Sequence, residues 1–90
     1  MQKTKIIISG FVQGVSFRSF IKKQADLLNI KGYVLNTKDS KIEAILEGEK
    51  NKITILIERC KKGPTFARVT KIEIINQEFK NEFDNFQIKP

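Results

Sequence analysis

The 90-residue sequence contains no histidine. That excludes imidazole-activated nucleophiles, imidazole proton shuttles and imidazole metal ligands. Its one cysteine, Cys60, excludes an internal disulfide. No acidic cluster suggests a metal site, and neither metal nor other cofactor is expected. No apolar run approaches the length of a signal h-region or a membrane span. The expectation is a protein of the cytoplasm with no membrane partner. Internal repeats, low-complexity tracts and linkers are also lacking, so residues 1–90 read as one domain.

What is present is mostly charge and aliphatic surface. Hydrophobic residues make up 40% and charged residues 30%, which is a globular composition. A chain of this size buries only somewhat over ~60% of its unfolded surface, so its core is adequate but not generous. Seventeen Lys+Arg against ten Asp+Glu give a net charge of +7. Such a balance favours anionic partners: phosphorylated metabolites, nucleic acid or an acidic surface. A plain solubility coat is the alternative, because fourteen of the seventeen cations are lysines.

The period of the apolar residues sets out the elements. Residues 4–11 read as a first strand, with Ile6-Ile7-Ile8 apolar on both faces and therefore central. From Arg18 to Asn29 the spacing is helical: Phe17, Phe20/Ile21, Ala25 and Leu28 fall on one face. Ser16 or Ser19 can cap this helix and Asn29 closes it. Residues 30–36 form a second strand, Thr37 to Ser40 a turn, and residues 41–47 a third strand. There Ile42, Ala44 and Leu46 alternate with a mostly polar face of Lys41, Glu43, Ile45 and Glu47. Residues 50–62 read as a second helix buried through Ile53, Leu56, Ile57 and Cys60, with Asn51 as a possible cap and Gly63-Pro64 as its stop. A long fourth strand over 67–78 runs through Val69, Ile72 and Ile74. Asn81 to Asn85 is a polar connection, and Phe86-Gln87-Ile88 a short last strand at the sheet edge. The order β-α-β-β-α-β plus a short C-terminal strand predicts an α+β fold. This is the ferredoxin-like split βαβ sandwich, an antiparallel sheet with two helices on one face.

Between the first strand and first helix lies Gly10-Phe11-Val12-Gln13-Gly14-Val15-Ser16-Phe17-Arg18. Glycine permits positive φ and close approach by a ligand. Consecutive backbone N–H groups ahead of a helix make a concave anion site, and Arg18 adds a forked cation suited to phosphate. A cation at a helix start opposes the helix dipole, which favours a bound anion. Taken alone, the stretch also fits a tight turn with a solvated arginine.

Together with the second strand, this stretch resembles the acylphosphatase family. The family's first signature is a glycine, a variable residue, Val-Gln-Gly-Val, another variable residue, Phe and Arg. Gly32-Tyr33-Val34-Leu35-Asn36, followed by Ile42 and Gly48 at the expected offsets, is similar to its second signature. Gly63-Pro64 with Ala67-Arg68-Val69 resembles the family's link into the fourth strand. Two departures stand out. Ser40 occupies a turn position that is usually glycine, and Leu35 one more often basic or polar.

The resemblance implies hydrolysis of the carboxyl–phosphate bond of a small-molecule acylphosphate, without metal or covalent intermediate, by a monomer. Inorganic phosphate is then product and inhibitor. It implies that Arg18 and the backbone N–H groups of Gln13, Gly14, Val15, Ser16, Phe17 and Arg18 bind the phosphoryl oxygens. It implies that Asn36 holds the attacking water; a side-chain amide accepts from water and donates at once, which suits positioning. Gln13 reads as a hydrogen bonder that orders the loop, and Ser16 as a cap whose hydroxyl lies near the phosphate. Lys38 and Asp39 read as solvated turn residues, and Phe17, Phe20, Tyr33 and Cys60 as core.

Two other readings are open. A basic nucleic-acid-binding module shares this element order, but an RNA-recognition motif needs aromatics on its exposed central strands, and none is placed there. A catalytically weak phosphate-binding domain is the other. The same signatures occur at the N-terminus of larger hydrogenase-maturation carbamoyltransferases, and that version predicts anion binding without turnover.

Overall fold

The computed structural model describes residues 1–90. Seven elements follow in order: β1 (Gln2–Phe11), α1 (Phe17–Leu27), β2 (Lys31–Asn36), β3 (Ile42–Gly48), α2 (Lys50–Lys62), β4 (Arg68–Gln77) and β5 (Phe86–Ile88). They build one five-stranded sheet in the order β4-β1-β3-β2-β5. This is the ferredoxin-like arrangement expected from the sequence. One correction concerns strand direction. Three pairings are antiparallel, but β5 runs parallel to β2, with Gly32 opposite Phe86 and Val34 opposite Ile88. The sheet is therefore mixed. The chain from β4 crosses the sheet before adding β5 at the far edge.

Alternation decides which side chains reach the core. Thr4, Ile6 and Ile8 of β1 are buried on the helix side, as are Val34 of β2 and Ile42, Ala44 and Leu46 of β3. Phe17, Ile21 and Ala25 from α1 and Leu28 at its C-cap meet them, with Ile53, Leu56, Ile57 and Cys60 from α2. Phe17 alone is worth about 2–3 kcal/mol when fully buried, and a cavity in its place costs about 3–5 kcal/mol. Ile74 is the exception: it pairs with Ile6 but lies on the outer strand β4 and stays exposed. Burial pushes the Cys60 thiol up to about 12, so it acts as core filler.

The helix ends follow local chemistry. α1 closes at Asn29 in the left-handed region (φ 55°), and the N–H of Ile30 donates back to the Ala25 carbonyl at 2.9 Å. That pair is a Schellman closure, for which Asn is a good second choice after Gly. At its start, Ser16 occupies the cap position at φ 65° and makes no side-chain cap bond. Ser16 does not cap through its hydroxyl, because a left-handed cap residue does not aim its side chain at the next turn, and Ser19 lies inside the helix. The cap of α2 is Glu49, in extended conformation, rather than Asn51.

The outer face of the sheet is less polar and less open than its alternation suggests. Ile45 and Glu47 are both buried. The segment between β4 and β5 folds across them, and the Glu47 carboxylate accepts the backbone N–H groups of Lys80 (3.4 Å) and Glu82 (3.2 Å). Phe83 packs edge-on to Tyr33 at 5.9 Å, and Lys3 pairs with Glu82. The face an RNA-recognition motif uses for base stacking is thus covered by the chain itself.

Gly10 solves a packing problem in this sheet. It sits at a β-bulge where the β1–β4 register shifts after Ser9, at φ 131°. A Cβ there would lie 2.0 Å from the Arg68 carbonyl oxygen. The glycine admits a neighbouring strand, not a ligand.

Candidate active site

The junction between β1 and α1 rises over the end of β2, where β5 closes the far side. A cleft of about 360 Å³ opens there. Its floor is Val12 and Phe17, each 1% exposed, and its walls include Gly14, Ser16 and Arg18 from the junction. Asn36, Ser19 and Ile88 complete the lining. The fold thus brings Arg18 and Asn36, separated by a helix in sequence, to one cavity. Asn36 arrives there by alternation: it follows Val34 on the helix-facing side of β2, at the strand's last position. Leu35 points to the other side, opposite Glu43, and does not line the cleft.

The junction backbone is open. The N–H groups of Gln13, Gly14, Val15, Ser16, Phe17, Arg18 and Ser19 find no acceptor within the chain; the first N–H to do so is that of Phe20, which donates to the Ser16 carbonyl at 3.0 Å. Gly14 (φ 75°) and Ser16 (φ 65°) are both left-handed, and residues 13–16 form a turn. Nothing lies within 4 Å of where a Gly14 Cβ would be. Backbone donors without a partner in the chain are satisfied by water or by an anion. Val15 packs against the core and Phe17 lies in it, which anchors the loop while its amides stay free.

Gln13 ties this loop to the turn after β2. Its Nε2 donates to the carbonyls of Thr37 and Lys41, each at 2.9 Å. The loop-ordering role read from its sequence position is the one its contacts describe. In the turn itself the Thr37 N–H donates to the Lys41 carbonyl at 2.9 Å, and the Thr37 hydroxyl accepts the Lys41 N–H at 3.0 Å. The same hydroxyl bonds the Asp39 carboxylate and holds it below its usual range. Asp39 is therefore tied into the turn rather than merely solvated. Ser40 has φ 67°, so the turn does demand the conformation that glycine adopts most easily.

Three parts of the cleft were not legible from residue types: Ser19, Ile88 and the Lys89 carbonyl. Arg18 Nη1 donates to that carbonyl at 2.8 Å, and the Lys89 N–H donates to Val34 at 2.8 Å. The last strand thus steadies the guanidinium while leaving its other N–H groups free. Only the placement of β5 beside β2 reveals this, and no local pattern in Phe86-Gln87-Ile88 signals it.

Known proteins share this sequence pattern and this fold. A family model described as Acylphosphatase matches residues 4–88. An acylphosphatase of Syntrophobacter fumaroxidans is 38% identical over 87 residues, covering 97% of this chain and 90% of that one. One from Pyrobaculum aerophilum is 41% identical over 91 residues, with 100% and 96% covered. The crystal structure of acylphosphatase from Bacillus subtilis superposes with a TM-score of 0.96 at 33% identity over the whole of both chains. Full-length HypF in a phosphate- and nucleotide-bound form matches at TM-score 0.92 and 34% identity, over 99% of this chain but 12% of that one.

Proposed function

The chain belongs to the acylphosphatase family, and from that premise we propose how it hydrolyses an acylphosphate. The observation that carries the reading is the run of seven unpaired backbone N–H groups, Gln13 to Ser19, beside Arg18 and Asn36 in one cleft. The run supplies donors for the three phosphoryl oxygens, and Arg18, braced on the Lys89 carbonyl, supplies the opposing charge. Asn36 accepts a hydrogen bond from a water and aims its oxygen at phosphorus. The new P–O bond forms as the P–O bond to the acyl group breaks. The products are a carboxylate and inorganic phosphate, which competes for the same donors. A carboxylate is a good leaving group, so no acid need protonate it. A phosphoryl oxygen of the substrate takes the proton lost by the water. Catalysis is then positioning and charge stabilisation in a site organised before substrate arrives. The proposed protein acts alone, as one domain and as a monomer. No helix is long and apolar enough to cross a membrane.

The test follows benzoyl phosphate by ultraviolet absorbance in excess chelator, for wild type and Asn36→Ala. Removing one preorganised group of this kind is worth about 10²–10³ in kcat. Chelator-resistant turnover that falls by that factor, with phosphate inhibition retained, is expected. A variant with wild-type kcat removes Asn36 from the role. A folded wild type that binds phosphate but turns nothing over leaves a phosphate-binding domain.

A further inference from the structure

We infer that Ile88 selects the acyl part of the substrate, favouring uncharged apolar acyl groups. The inference rests on the hydrolase reading above and extends it to the half of the substrate that the phosphate donors do not touch. Of the three hydrophobic residues in the cleft, Val12 and Phe17 are 1% exposed and have no surface to offer. Ile88 is 41% exposed and is the only apolar wall a ligand can lean on. That wall is fixed relative to the phosphate clamp. Ile88 of β5 pairs with Val34 of β2, and its neighbour Lys89 bonds both Val34 and Arg18 through its backbone. A group held by Arg18 therefore has Ile88 at a set distance. The acyl group lies outside the phosphate donors, where the one exposed apolar residue lining the cleft is Ile88.

The electrostatics point the same way. Arg18 is the only charged residue lining the cleft. The nearest cation beside Ile88, Lys89 just beyond β5, is turned to the other face of the sheet, with its Nζ 4.1 Å from the centre of the Tyr33 ring. An acyl group bearing a second anion thus meets no second cation in the cleft and faces a hydrocarbon wall. An aromatic or aliphatic acyl group loses water against that wall.

The experiment compares kcat/KM for benzoyl phosphate and acetyl phosphate in wild type and Ile88→Thr, with the inhibition constant of inorganic phosphate as reference. Threonine keeps the β-branch that suits a strand. A pocket contact of this size is worth about tenfold in discrimination. The preference for the benzoyl over the acetyl substrate is expected to fall about three- to tenfold in Ile88→Thr, through KM. Phosphate inhibition should shift less than twofold. If Ile88→Thr does not fold, Ile88→Val is read instead, with a smaller fall of the same sign. Equal changes for both substrates, or no change, overturn the assignment of Ile88 alone. Absence of turnover by wild type on either substrate overturns the hydrolase reading, and this inference with it.

Discussion

The loop entering α1 and the turn leaving β2 meet across the side chain of Gln13, and they satisfy their backbones in opposite ways. From Gln13 to Ser19 no amide N–H has a partner in the chain. From Thr37 to Lys41 a backbone bond, a threonine hydroxyl and an aspartate close the turn on itself. The Lys41 carbonyl accepts from both Thr37 and Gln13. The difference teaches a division of labour. A loop that must keep donors free for a ligand cannot hold its own shape with them, so the shape is supplied by a neighbour that has no ligand to bind. Left-handed residues occur in both: Ser16 in the open loop and Ser40 in the closed turn. In both they turn the chain.

The contrast breaks most readily at Arg18. Arg18→Gln removes a charged set of phosphate donors, and such bonds are worth about 1.5–3 kcal/mol. The inhibition constant of inorganic phosphate should rise about tenfold to a hundredfold with the fold intact. An unchanged constant would mean that the open amides suffice alone. Next is the bridge. Gln13→Ala leaves the Thr37 carbonyl without its partner and detaches the loop from its support, at a cost of about 1–2 kcal/mol. Denaturant unfolding and phosphate titration should weaken together; a destabilised protein with undiminished phosphate affinity would show that the open loop holds its shape unaided. Ser40→Gly relieves left-handed strain in the closed turn and should stabilise by about 0.5–1 kcal/mol, raising Tm by about 3–6 °C without altering kcat. A lower Tm would mean that the Ser40 side chain repays its conformation. The smallest effect concerns Asp39. Its folded pKa is depressed, first by the Thr37 hydroxyl, so its contribution is present above the ordinary carboxylate range and is lost as pH falls through the depressed value. Asp39→Asn should flatten the dependence of Tm on pH below about pH 4 and leave it unaltered near neutrality. Parallel curves for the two proteins would assign the acid sensitivity elsewhere.

The element order and both helices were legible because their apolar periods are clean: Ile53, Leu56, Ile57 and Cys60 are buried as their spacing predicts. Family signatures named Arg18 and Asn36, and the fold brings the two into one cleft. What stayed hidden depends on contacts distant in sequence. Glu47 sits on the polar face of β3 by alternation, yet is 3% exposed, because backbone amides from the segment after β4 reach down to it. The parallel placement of β5, and with it Ile88 in the cleft, follows from where the chain crosses the sheet, not from any residue in Phe86-Gln87-Ile88. Ser16 looked like a cap because serine caps helices; its φ of 65° shows that the loop's shape overrode that preference.

Gly10 bears on how a saturation mutagenesis of this chain should be scored. Any side chain there must displace the Arg68 carbonyl, so every substitution would erase activity by spoiling the sheet. In a screen that reads only turnover, Gly10 and Arg18 would look equally essential, and the motif that begins with one and ends with the other would pass for a single functional unit. Scoring soluble yield beside turnover separates them: variants at position 10 drop out of both measurements, while those at position 18 vanish from one.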